Sequence, residues 1–259
     1  MTQRRRYKNP PIEEALCEFR FEPSQEWDLT IPGRLHVQLS KDYSGKPQQQ
    51  KFVDVSLDAQ KGKPPKLSYG EGLAKVQLFT EDGKRIIAVG QDVLSIHMLR
   101  PYQDPQRPDH SGWDEFQDRI KQALDVYWNE VQPKGVLWVS IRYINKIVIP
   151  EEEVMVASYL KCALPEVKGL PDHHNSFFSR VGYVYDDEVQ LVLSQRSIDS
   201  PPPNQVEFLL DIDVIWANTE PVKKDEALAK AVDLRNRERE AFEAVITNKA
   251  RELFDADDN

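Results

Sequence analysis

Residues that usually carry catalysis or covalent scaffolding are scarce in this chain: 259 residues include two cysteines, five histidines and three methionines. Cys17 and Cys162 each sit in an apolar setting, which fits a reducing compartment better than a disulfide framework. His173 and His174 are adjacent, and neighbouring loop residues rarely turn toward the same ion, so the pair reads as an exposed loop rather than a metal site. No nucleophile elbow, P-loop, dinucleotide fingerprint or paired zinc motif occurs. Gly70-Glu71-Gly72 is too short to cradle a phosphate, and Ser140, Ser179 and Ser194 have no histidine nearby in sequence. The expectation is a protein that is not an enzyme, with no cofactor and no metal.

Long apolar runs are missing as well. The most apolar stretch, 136–150, is interrupted by Arg142, Asn145 and Lys146, which argues against a membrane span. Arg4, Arg5 and Arg6 are followed by Tyr7-Lys8-Asn9-Pro10-Pro11 instead of an apolar signal region, so the expected compartment is the cytoplasm. A formal net charge of −9 repels a phosphate backbone, and the arginine triplet is the one clear basic cluster. Nucleic acid is therefore not an expected partner.

What the chain does hold is a dense supply of core residues, 40% hydrophobic, with no low-complexity tract between them. Period-two alternation predicts a strand over 15–21, then a short helix opening at Thr30-Ile31-Pro32-Gly33. Strands follow over 52–57, 73–79, 85–89 and 93–99, with a hairpin at Asp82-Gly83, and a helix over 112–131 closes the half. The same order then recurs: a long strand over 136–149, a short helix over 154–164, strands over 177–185, 189–195 and 205–216, and a long helix over 223–254. The expected fold is α+β, with antiparallel sheets carrying long helices on one face. Two pseudo-repeats, 1–132 and 133–259, pack as one unit.

Alternation also sorts the side chains of the sheet. Leu137, Val139, Ile141, Tyr143, Ile147 and Ile149 share an inward face, as do Val206, Phe208, Leu210, Ile212 and Val214. The opposite face collects Glu18, Arg20, Trp138, Arg142, Asp211 and Asp213. Asp211 and Asp213 are spaced to share a cation or do acid/base work, but cross-strand pairing with Arg142 or Arg20 uses the same residues without chemistry and is the commoner arrangement. Asn145 falls on the inward face, where a buried amide pins a strand end or binds a ligand. The nearly all-charged stretch 235–240 of the last helix is expected to leave the sheet or lie under a partner.

The segment Tyr7-Lys8-Asn9-Pro10-Pro11-Ile12-Glu13-Glu14-Ala15 resembles the Tyr-x-Asn-Pro-Pro-Ile-x-Glu-Ala signature of a sporadically distributed, functionally uncharacterised prokaryotic protein family of about this length. The resemblance continues in Ile141-Arg142-Tyr143-Ile144-Asn145, in Leu210-Asp211-Ile212-Asp213, and in Phe242-Glu243 with Ile246-Thr247. It departs at 235–240, which is charged here and more apolar in the family. The patchy distribution implies an accessory gene of the kind found in toxin-associated or phage-defence modules. The first expectation is thus a non-catalytic protein-interaction or regulatory component, working with a protein partner or as a homo-oligomer. The second is a small-molecule or nucleotide binder using a groove between sheet and helices, anchored by Arg20, Arg142 and Asn145. Arg20, Trp138, Arg142, Asn145, Asp211 and Asp213 together form the candidate surface.

Overall fold

The structure, a computed structural model, describes residues 5, 7–24, 27–50, 53–58, 66–71, 75–104, 111–161, 169, 176–199 and 201–255, with the backbone alone for 53–58, 66–71 and 255. Cys162, His173 and His174 lie outside the described residues, as do most of the expected short helix beyond 161 and part of the Gly70–Gly72 turn.

The period-two stretch forms β1 (Ile12–Glu22), whose inward residues Ala15, Cys17, Phe19 and Phe21 are all buried. A short helix α1 (Ile31–Leu39) follows, with proline in its first turn where the missing amide costs no hydrogen bond. The first half continues through β2 (Gln48–Gln50), the separate hairpin β3 (Val53–Asp58) and β4 (Lys66–Glu71), then β5 (Lys75–Phe79), β6 (Arg85–Val89), β7 (Val93–Leu99) and α2 (Trp113–Val131). The second half runs β8 (Gly135–Ile149), a 3-10 turn (Val156–Ser158), β9 (Phe178–Val184), β10 (Gln190–Ser197), β11 (Val206–Val222), α3 (Lys224–Val245) and α4 (Asn248–Asp255). The class is α+β.

One nine-stranded antiparallel sheet has the order β2-β5-β6-β7-β1-β8-β11-β10-β9. β1 and β8 pair at its centre, with Cys17 opposite Ile141 and Arg20 opposite Trp138. Outward from that seam, each half has its first strand at the centre, its last strand next and earlier strands beyond, so the two halves share a connectivity without a residue-level repeat. A single core joins them, in which Phe19, Ile141, Tyr143, Leu210 and Ile212 meet Phe116, Leu124 and Tyr127 of α2 and Leu234 of α3. Among the described residues the opposite sheet face carries no helix layer.

Two expectations change. The long final helix is two helices, because the chain leaves α3 at Ile246, bridges Leu160, and donates Thr247 N to the Tyr159 carbonyl at 3.0 Å before α4 begins. The helix expected over 154–164 is a single 3-10 turn among the described residues, since the backbone of Leu160 and Lys161 is taken up by this bridge, with Lys161 N bonded to Val245 O at 2.7 Å.

Among the described residues no helix is long and apolar enough to cross a membrane.

Candidate functional site

A cavity of about 790 Å³ opens between the sheet and the helices, walled by the N-terminal segment, the 100–104 loop, the start of α2, the middle of α3 and the inward side of β8. That volume is within the range of roughly 300–1,000 Å³ typical of small-molecule sites.

Each wall has a local cause. Pro10 and Pro11 enforce an extended approach to β1, and the segment is fastened at both ends: Asn9 N donates to Phe254 O at 2.8 Å, and Pro11 O accepts from Lys146 N at 2.7 Å. Tyr7 donates to Glu243 at 2.8 Å and packs edge-on against Phe254 at 5.4 Å. Burial and the Glu243 carboxylate together push its phenol up to about 12.

The 100–104 loop is held by Arg85, a buried cation that donates to the carbonyls of Leu99 at 2.9 Å and Pro101 at 3.1 Å and pairs with Glu115 of α2 at 3.1 Å. Tyr102 is thereby brought to Tyr143, and their hydroxyls share a hydrogen bond of 2.8 Å inside the core. Burial raises both phenols, that of Tyr102 to about 12, so both stay protonated.

The α3 wall overturns the expectation for the charged stretch. Its middle does not leave the sheet. Glu238 is 2% exposed and ion-paired with Arg235, whose side chain is 15% exposed. The Arg235 guanidinium lies 4.5 Å from the Tyr143 ring centroid and 5.7 Å from that of Trp113. An aromatic bed suits guanidinium because the flat, weakly hydrated cation stacks on π-faces. Its Nε is buried with no hydrogen-bond partner among the described residues. Burial lifts the Glu238 carboxyl to about 7, against the pull of Arg235 and Arg239. Five cations and four carboxylates line the cavity, on a chain whose overall charge is −9.

Of the six residues of the candidate surface, Asn145 alone belongs here; it is 1% exposed and its amide donates to Leu210 O at 3.3 Å, pinning β8 to β11. Arg20, Trp138, Arg142, Asp211 and Asp213 lie on the opposite, helix-free face, as their register requires. Arg20 and Arg142 therefore cannot anchor a groove between sheet and helices together with Asn145, because the sheet itself separates them. On their own face Arg142 grips Asp211 with two bonds of 2.8 and 2.6 Å, and Arg20 pairs with Glu18 at 2.9 Å while stacking 5.2 Å from Trp138.

Asp213 and Trp138 differ from these neighbours, since Oδ1 of the one and Nε1 of the other are buried with no hydrogen-bond partner among the described residues. Burial pushes the Asp213 carboxyl up to about 6; Arg142 opposes this, and Asp211 and Glu18 add to it. A carboxyl with a raised folded-state pKa binds its proton more tightly when folded, so its contribution declines as pH rises from about 4 to about 6. Asp213→Asn should accordingly make the protein more stable than the wild type by about 2 kcal/mol at pH 7.5. The gap should close near pH 4. Urea unfolding of both proteins at the two pH values reads this directly, and a variant less stable at pH 7.5 would rule it out.

Among the described residues no group of three or more His, Cys, Asp or Glu side chains is placed to hold a metal ion. Sequence reasoning missed Tyr7, Tyr102, Arg235 and Glu238 as a group. A signal was present in α3: Arg235, Glu238 and Phe242 recur at spacings of three and four, on the same stripe as buried Ala231 and Val245.

No family model matches the chain, and neither does any curated protein.

Proposed function

We propose that the protein is a non-catalytic receptor for a small organic anion, such as a nucleotide or a carboxylate or phosphate ester of similar size, bound in the cavity between sheet and helices. The observation that carries the proposal is Arg235: a guanidinium bedded between Tyr143 and Trp113, with an unpartnered Nε, on the wall of a ligand-sized cavity. Arginine recognises carboxylate and phosphate by a planar fork, and in a desolvated setting each such bond is worth more than at the surface. Tyr102 and Tyr143 keep their protons and so offer neutral hydroxyls, and the rings supply a surface for the apolar body of the ligand. The sporadic prokaryotic family, the accessory role and the cytoplasmic setting belong to this proposal as its biological frame. In that frame the ligand acts as a signal, and a change of shape or partner is the output.

The regulatory part of the reading does not depend on the charged stretch of α3 as a partner surface, since Arg235 and Glu238 face inward. The test is a thermal-shift panel of nucleotides, dicarboxylates and sugar phosphates on wild type and on Arg235→Lys, which keeps a cation beside Glu238 but removes the fork. A binder at about one hundred times its Kd adds about 2.7 kcal/mol of stability. The expected result is a dose-dependent rise for at least one class in the wild type, shrunken in the variant. Silence across the panel overturns the reading.

A further inference from the structure

Strand β9 ends the sheet, and among the described residues nothing pairs with its outer edge. It carries large apolar side chains on both faces: Phe178 at 67% and Val184 at 71% exposed on the helix-free side, Val181 at 40% and Tyr183 at 50% on the other. Edge strands normally avoid association through charge, proline or bulges, and β9 has one charged residue, Arg180, and neither of the other devices along its length. The β9–β10 hairpin is also held in place, because Arg237 of α3 grips Asp187 at its tip with bonds of 2.8 and 2.6 Å.

We infer that β9 is the contact of a homodimer, pairing antiparallel with β9 of a second copy about a twofold axis at Val181, so that one sheet continues through both subunits. Backbone phase allows it. Tyr185 N bonds to Val189 O, and Ser197 N to Phe177 O, so the odd-numbered residues of β9 turn their amides and carbonyls toward β10. Phe178, Arg180, Gly182 and Val184 therefore direct theirs outward, where a second strand can take them.

Charge and shape select the register. Centred on Arg180, the pairing sets two arginines face to face. Centred on Gly182, it sets Phe178 against Asp186. Centred on Val181, Phe178 meets Val184 twice, both exposed and both on the helix-free side, while Arg180 lies opposite Gly182, which has no side chain to oppose it. Of these three registers, this one sets the most exposed apolar residues, Phe178 and Val184, against each other without stacking like charges. A closed, isologous contact of this kind suits a second copy better than a foreign strand, whose sequence would have to match both halves of the pattern. One short strand per subunit is a small interface, so the dimer should dissociate in the micromolar range.

Sedimentation velocity across a concentration series tests this. The wild type should pass from monomer to dimer, and Val181→Lys, which puts two ammonium groups at the closest cross-strand position, should weaken the dimer by at least about 100-fold. An unchanged melting temperature and circular dichroism spectrum show that Val181→Lys still folds. Phe178→Lys and Val184→Glu should each weaken association, and the doubly substituted chain should recover it. The two positions are about 20 Å apart within one strand, so they can pair only between subunits. A wild type that stays monomeric at the highest concentration, or a dimer indifferent to Val181→Lys, overturns the inference.

Discussion

Arg235→Leu should destabilise the protein by about 3–5 kcal/mol at pH 8, the usual cost of leaving one member of a buried ion pair behind. Glu238 is 2% exposed and ion-paired with Arg235. With the guanidinium gone, Arg239 is the remaining cation among the described residues to lower its pKa, and the carboxylate must either remain charged in the core or take up a proton. Its folded-state pKa, already near 7, then rises further, which fixes the sign of the pH dependence. A carboxyl with a raised pKa loses stability as pH climbs from its unfolded value through its folded one, and the variant shifts that upper limit higher. The penalty should therefore be largest at pH 8 and much reduced at pH 5.5. Removing both charges with Arg235→Leu and Glu238→Leu should recover most of the loss, because apolar replacements of a buried pair are often neutral. Denaturant unfolding of the three chains at the two pH values measures this. A loss below about 1 kcal/mol that does not vary with pH would mean that the pair is solvated in solution.

Arg85→Met carries the second large effect, about 3 kcal/mol or more, for a different physical reason. Arg85 ties β6 to the start of α2, and its second function is to donate to the Leu99 and Pro101 carbonyls. Methionine fills much of the same volume but leaves those carbonyls without their donor. Glu115 is better off, since Arg119 also holds it at 2.8 Å. The consequence reaches the cavity, because the loop that Arg85 secures positions Tyr102 against Tyr143. Arg85→Met should thus weaken ligand binding as well as stability, although Arg85 does not line the cavity. Hydrogen exchange should show faster exchange in the 100–104 loop and the first turn of α2. Protection equal to that of the wild type in both places would contradict this role.

How much of this could be read beforehand depended on whether the relevant interaction was local. The alternation in β1, β8 and β11 is a short-range signal, and it placed Phe19, Ile141 and Ile212 inside and Arg20, Arg142 and Asp213 outside. The hairpin at Asp82-Gly83 was legible for the same reason: Gly83 adopts φ 70°, and Asp82 accepts the Thr80 hydroxyl at 2.6 Å within the turn. The cavity was not local. Tyr7, Tyr102, Tyr143 and Arg235 come from four distant segments, and nothing within any one of them announces the others. A charged run on a helix reads as solvated by default. Arg235 and Glu238 instead take two inward positions, where Tyr143 and Trp113 offer a π-surface for the cation. The end of the last helix was hidden for a similar reason, since the break at Ile246 is imposed by a bridge to Leu160, a partner far away in sequence. The six candidate residues divided because Asn145 is an odd-numbered residue on a strand whose even-numbered positions carry Trp138 and Arg142.

Trp113 provides a reporter inside the cavity, with its ring 5.7 Å from the Arg235 guanidinium. The most direct measurement is a fluorescence titration with the best anion from the thermal-shift panel, run on wild type, Trp113→Phe and Arg235→Lys. The account predicts a saturable change in the wild type that disappears in Trp113→Phe, and a midpoint at least about tenfold higher in Arg235→Lys, a loss equivalent to 1.4 kcal/mol. A signal that survives in Trp113→Phe, or a midpoint equal in wild type and Arg235→Lys, would place the ligand elsewhere and contradict it.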